Sequence, residues 1–384
     1  MGRQFRDGRR DGLQPVQSLN PDEIRSFAAL LEAMGRTSFG GRRLGEAFEV
    51  LKQMCFDRDC FVVGTFSGAM TVGKMGTLIC RMIDREMIQA VVTTGALLAH
   101  GFSESIGCVH YKTSPGISDA QLYAKGYNRV YDTIEMEANL NHVEEVFRRT
   151  LDRISCEPAL SSECITRELG RTLAETSEGE GMLKSAYLKG VPVYIPAFTD
   201  SEIGLDLSTW AMGRVSRRDS GSRGSHSRRP QLAEYLAAVP HFNPFLDLNS
   251  YTARIMQQKT LGIFTIGGGV PRNWAQQVGP YIDITNHRLG TKFKPPRFRY
   301  GVRICPEPDY WGGLSGCTYS EGVSWGKFMS PEEGGRFAEV LSDATLVWPL
   351  LLQGLLEELD QRKSRGPKAA SSASKITVQA RPGQ

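Results

Sequence analysis

The chain has 384 residues and no apolar run near the roughly 20 residues that a membrane helix needs. Its basic start, Met1 to Arg10, is not followed by an apolar stretch, so no secretory signal and no membrane partner are expected. Cysteine and histidine are sparse, at eight and six, and neither is spaced as metal ligands are. Cys55 and Cys60 are the closest cysteine pair, and no CxxC occurs. The expectation is reduced thiols in a cytoplasmic protein with no metal. A charge of one sign is also lacking. Lysine plus arginine number 46 against 42 acids, for a net +4, and the excess sits largely in the tails and one loop. This argues against nucleic acid as a partner. An RNA-binding reading rests only on the Arg/Ser/Gly segment 214–230, which reads more simply as a solvated insertion.

What is present is the makeup of a globular protein, 40% hydrophobic and 23% charged. Residues 1–20 are expected to be disordered, 21–360 to form a single α/β domain, and 361–384 to be a disordered tail. Basic insertions are expected near 214–230 and 288–299. Asn20 followed by Pro21-Asp22-Glu23 predicts a helix start, and Gly40-Gly41 a break before a second helix. A unit then recurs: an apolar strand, a turn rich in Gly or Thr, and a helix. The strands are expected at 60–66, 88–92, 191–197, 261–266 and 299–304. Helices are expected at 138–155 and 160–175. Continuous apolar strands alternating with helices imply a Rossmann-like, doubly wound, mostly parallel sheet with helices on both faces.

In such a sheet ligands bind at the carboxyl ends of the strands. Those ends carry Ser67-Gly68, Thr93-Thr94-Gly95, Asp200 with Glu202, and Gly267-Gly268-Gly269. The triple glycine permits close backbone approach to a phosphate at a helix start, though it is not GxGxxG and also serves as a tight turn. Ser, Thr and Asp at these positions are equally the residues that cap helices. His100 reads best as a structural histidine, and Trp274 and Trp311 as core residues or pocket walls. Further along, Glu321-Gly322-Val323-Ser324-Trp325-Gly326-Lys327 places a carboxylate, an indole and a lysine within one short stretch. A lysine becomes a nucleophile when partly desolvated, and the neighbouring indole supplies an apolar wall.

Five separated blocks, in order, resemble the deoxyhypusine synthase family, and more closely its bacterial deoxyhypusine synthase-like branch. They are Val92-Thr93-Thr94, Val191 to Asp200, Gly267 to Val270, Glu321 to Lys327, and Asp343 to Leu350. The resemblance runs from about Phe27 to about Leu356. It implies NAD as cofactor, facing Thr93, Thr94, Gly267, Gly268, Ser315, Asp343 and Ala344. It implies a polyamine such as spermidine as substrate, held by Asp200, Glu321, Trp325 and Asn273. Lys327 would carry an imine, with Glu321 and Trp325 completing the catalytic set. The aminobutyl group would pass to a lysine of a translation factor or to a free diamine, giving a homospermidine-type product. A homotetramer with sites at dimer interfaces is also implied. The chain departs from the family pattern at Asn273-Trp274, where paired histidines stand, and at Trp311 to Gly316, where acids stand. A second reading follows from these departures: an NAD- or nucleotide-binding protein on the same scaffold with altered catalysis.

Overall fold

The computed structural model describes residues 5–114, 116–155, 158–220 and 230–365. Two helices open the domain, α1 (Phe27–Gly35) and α2 (Phe39–Phe56). Asn20 does cap the Pro21–Glu23 stretch, but that is a single 3-10 turn. The first α-helix starts at Phe27 under Ser26, whose hydroxyl accepts from the Ala29 amide at 3.0 Å. Gly40 and Gly41 lie in the first turn of α2 and do not break a helix.

The first half of the sheet follows: β1 (Cys60–Phe66), α3 (Gly76–Asp84), β2 (Ala90–Thr93) and α4 (Gly95–Ser105). A small unit comes next, with β3 (Tyr111–Lys112), α5 (Asp119–Ala124), β4 (Tyr127–Val130) and β5 (Thr133–Met136). Then come α6 (Glu137–Leu151), α7 (Ser162–Thr176), α8 (Met182–Lys189), β6 (Val193–Tyr194) and α9 (Glu202–Ser220). After α10 (Leu232–Leu236) and α11 (Pro244–Met256), the second half has β7 (Thr260–Ile266), α12 (Gly269–Gln276), α13 (Val278–Leu289) and β8 (Tyr300–Ile304). The chain closes with α14 (Tyr319–Ser324), β9 (Arg336–Val340) and α15 (Ala344–Arg365).

Six strands pair in parallel in the order β6-β2-β1-β7-β8-β9. Two wound halves therefore diverge from the boundary between β1 and β7, which is the switch point where doubly wound sheets bind ligands. Helices cover both faces, and strand side chains alternate between two cores. Phe66, Val62, Phe264 and Ile266 pack with α2 and α15, while Val63, Ile263 and Val92 pack with α11 and α12. The expected fold class is the observed one.

Some elements differ from expectation. β6 is two residues long because the sheet edge here pairs only Val91 with Val193 and Val92 with Tyr194. β9 is a sixth strand that apolar runs do not reveal, since Arg336-Phe337-Ala338-Glu339-Val340 alternates as an edge strand does. The antiparallel sheet β3-β5-β4 is likewise additional. Helix α9 continues through the first part of the 214–230 segment, to Ser220, and residues 221–229 lie outside the described residues. Helix α15 passes Asp360 to Arg365; residues 366–384 and 1–4 lie outside the described residues. Cys164 is disulfide-bonded, contrary to the expectation of reduced thiols throughout, while Cys55, Cys60, Cys80, Cys108, Cys305 and Cys317 are free.

Candidate active site

Lys327 is presented by a short helix and a glycine turn. Thr318 caps α14, its Oγ1 accepting from the Glu321 amide at 3.0 Å. The helix ends at Ser324, and the reversal that follows needs a positive φ, which Gly326 supplies at 68°. The Lys327 backbone is then pinned on both sides. Its amide donates to the Gly322 carbonyl at 3.0 Å, and its carbonyl accepts from the Phe298 amide at 3.0 Å. The side chain reaches α12, where Nζ donates to Asn273 Oδ1 at 2.9 Å. The Trp325 ring centroid lies 6.0 Å from Nζ, at the outer limit of a cation–π contact.

These groups line a cleft of about 770 Å³. Lys327, Asn273, Glu321 and Trp325 all face it, together with Arg272 and Leu314. Burial is the largest influence on the lysine and pushes its pKa below the ordinary 10.5. Arg272 pushes the same way, while Cys317 and Glu321 oppose it. Arg272 is only 2% exposed. Its Nη1 donates to the Cys317 carbonyl at 2.7 Å, and its guanidinium lies 5.1 Å from the Tyr319 ring centroid. Its Nε has no partner among the described residues, and no ion pair there neutralises it. A buried, uncompensated cation beside an amine favours the neutral amine, the form that attacks carbon. Arg272 was not singled out from the sequence. Its signal was available, since it directly precedes Asn273 after the triple glycine.

An Asn273→Asp replacement tests this electrostatic balance. A carboxylate 2.9 Å from Nζ would stabilise the ammonium. Activity at neutral pH is expected to fall by about tenfold per unit of raised pKa, with recovery at higher pH. A pH–rate profile of the variant measures it.

The second group of expected residues stands at the strand ends. Gly267 has φ 77°, and Gly268 lies so near the 312–316 loop that a Cβ there would sit 2.6 Å from Ser315 Cα. Only glycine fits that approach. The Ser67 hydroxyl, from the end of β1, donates to the Gly268 carbonyl and ties the two halves of the switch point together. Thr94 caps α4, its Oγ1 accepting from the Leu97 amide at 3.4 Å, and Asp343 accepts from the Thr345 amide at 2.8 Å ahead of α15. Thr93 is buried, as is Ala344. The capping role anticipated for these types is therefore present, at the sheet edge where a ligand would lie. Helices α4, α12 and α15 start at these strand ends, where their backbone amides suit a phosphate.

Asp200 is separate from this cleft. It is exposed just after β6, at the opposite edge of the sheet from β8 and β9, and does not line the Lys327 cleft. Trp274 packs against Tyr194, at 5.6 Å, and Tyr251, at 4.9 Å, and is partly buried against the core. Trp311 is 69% exposed. His100 hydrogen-bonds Glu135, in company that sequence spacing does not suggest.

Fold and site together define a doubly wound α/β protein with a half-buried lysine in a cleft lined by α12, α13 and α14. Comparison with known proteins makes this particular. Residues 29–222 and 233–355 match the family model of deoxyhypusine synthase. A protein of Methanosarcina acetivorans named probable deoxyhypusine synthase 2 is 30% identical over 346 residues, covering 89% of this chain and 90% of that one. Its Methanosarcina mazei counterpart is 31% identical, covering 90% and 89%. A deoxyhypusine synthase-like protein of Elusimicrobium minutum is 27% identical, covering 89% and 84%. A crystal structure from Entamoeba histolytica, described as that of a putative deoxyhypusine synthase, shares the fold with a TM-score of 0.52 at 12% identity, covering 89% of this chain and 97% of that one. The chain belongs to the deoxyhypusine synthase family, a family of transferases.

Proposed function

We propose that the protein is an NAD-dependent aminobutyl transferase acting on a spermidine-like polyamine through an imine on Lys327. The observation that carries this reading is the half-buried lysine amine, held by Asn273 and depressed in pKa by burial and by Arg272. Thr93, Thr94, Gly267, Gly268, Ser315, Asp343 and Ala344 would hold NAD, which when bound supplies a hydride acceptor for the amine and a hydride donor for the product.

The neutral Lys327 amine attacks the electrophilic carbon of the oxidised polyamine. A carbon–nitrogen bond to Nζ forms, the bond to the departing amine breaks, and that amine leaves with a proton. Trp325 and Leu314 supply apolar walls to the cleft, and Glu321 attracts the cationic amine of the substrate. An acceptor amine then takes the carbon from Lys327, restoring the free lysine. The acceptor is a protein lysine, as on a translation factor, or a free diamine. Asp200 is proposed to hold a substrate amine from a second copy, because one chain keeps it apart from Lys327. This fits a homotetramer with sites between paired protomers.

Purified protein incubated with NAD and labelled spermidine, then reduced with borohydride, should gain the aminobutyl mass on Lys327. Adding putrescine should give a new triamine if the acceptor is free. No adduct on Lys327 with any of several polyamines sinks the imine mechanism. NAD binding without hydride exchange would instead favour a nucleotide-binding protein, the reading prompted by Asn273 in place of histidine and by the acid-free Trp311-Gly312-Gly313-Leu314.

A further inference from the structure

A second constellation lies in the other half of the molecule, and it owes nothing to the Lys327 reading. His100 on α4, His110 in the loop before β3, and Glu135 on β5 converge, with their ligand atoms all within 4.8 Å of one another. His100 Nδ1 is 3.3 Å from Glu135 Oε2, and His110 Nε2 contacts the same oxygen. The side chains of Glu135 and His110 are fully buried, and that of His100 is 20% exposed. The other Glu135 oxygen accepts from Asn139 Nδ2 at 2.8 Å. On the far side of His110, Nδ1 stands 2.8 Å from Lys74 Nζ and 3.8 Å from Glu104 Oε1, and Lys74 also donates to Glu104.

A buried carboxylate needs one cationic partner. Here two imidazoles aim at a single oxygen while an amide fixes the other. Ligands about 2.0–2.1 Å from a tetrahedral ion stand roughly 3.3 Å apart, the spacing of His100 from Glu135. His110 has only to withdraw slightly to complete the set. Two nitrogens and one carboxylate oxygen suit a borderline divalent ion; calcium and magnesium prefer oxygen alone. The surroundings supply outer support. Asn139 orients the carboxylate, and Glu104 is placed to take the His110 Nδ1 proton once Lys74 pairs with Glu104 alone.

We propose that His100, His110 and Glu135 form a binding site for one divalent ion of the zinc class, with the partly exposed His100 side leaving room for a water as fourth ligand. The ion joins α4 to the small antiparallel sheet. Because α4 begins immediately after Thr93-Thr94, the ion steadies the helix whose start borders the switch point. The competing arrangement is the direct contact of His110 Nε2 with Glu135, which an ion would replace.

The whole chain, stripped with a chelator, is titrated with Zn²⁺ by calorimetry and with Co²⁺ by visible absorption. The expected result is one ion per chain, a Co²⁺ spectrum of low coordination number, and a rise in Tm with Zn²⁺. His100→Ala leaves the buried Glu135–His110 contact in place, so it keeps the fold. Losing an outer-shell partner costs about 10–100-fold in metal affinity, so losing this ligand should cost more than tenfold and abolish the rise in Tm. Wild type and His100→Ala binding Zn²⁺ alike, or a Co²⁺ spectrum of the hydrated ion, would overturn the site and leave the direct His110–Glu135 contact. Neither outcome touches the Lys327 adduct, so the two proposals fail separately.

Discussion

Lys327→Arg is expected to lower polyamine-dependent turnover by about a thousandfold or more and to eliminate the borohydride-trapped adduct. The variant separates charge from nucleophilicity. Arginine keeps the positive charge and much of the apolar stem, but it does not deprotonate and cannot form the imine. Binding of NAD should persist, because the proposed cofactor residues lie along the strand ends from β2 to β9 and not on the lysine turn. Mass spectrometry of the reduced protein and equilibrium NAD binding read the two outcomes. A variant that retains turnover within tenfold would end the imine mechanism.

The same lysine carries a stability signature. Its folded pKa lies below the ordinary 10.5, so the unfolded chain binds its proton more tightly. Between the two pKa values the unfolded state holds more protons, and stability rises with pH. Below the folded pKa the cost is complete; above 10.5 it is gone. Lys327→Met removes both the buried amine and its proximity to Arg272. It should therefore unfold at a higher temperature than wild type at pH 7, while being inactive. The difference should narrow as pH rises towards 10, which thermal melts across that range would reveal.

Trp348→Ala is expected to cost about 3–5 kcal/mol of stability, measured as a lower denaturation midpoint in urea. Trp348 is 1% exposed on the inner face of α15. Its ring stacks on Phe66 at 5.6 Å and tilts against Phe264 at 6.1 Å, the side chains of the two strands that meet at the switch point. Emptying this position leaves a cavity beneath β1 and β7 that neighbours cannot fill from a rigid sheet. Function should suffer as well, because α15 begins at Asp343-Ala344, on the proposed cofactor side. Trp348→Phe should cost much less. The indole Nε1 has no partner among the described residues, so losing that N–H removes a buried unpaired donor along with some packing. A small effect of Trp348→Ala would mean that α15 docks by other contacts, of which Leu351 and Leu355 are the buried candidates.

The sequence by itself determined the strand-turn-helix rhythm, because buried parallel strands must be apolar along their length and a helix must follow to cover them. β1, β2, β7 and β8 were legible for that reason. β9 was not, since an edge strand exposed on one side alternates and resembles a loop. The small antiparallel sheet escaped notice because its strands are only two to four residues long. The lysine stretch was legible as chemistry, and Lys327, Trp325, Glu321 and Asn273 do meet in one cleft.

Tertiary structure decided what surrounds them. The lysine's setting depends on Arg272 and Asn273 of α12 meeting Cys317, Tyr319 and Lys327, segments far apart in the chain, and burial and Arg272 together lower the lysine's pKa. Folding likewise keeps Asp200 away from Lys327, at the opposite edge of one sheet. It also gathers His100, His110 and Glu135, which no local spacing announces, because a helix, a loop and a strand each contribute one ligand. Local sequence sets which side chain can act; the distance between elements sets the field in which it acts, and that distance exists only once the sheet is wound.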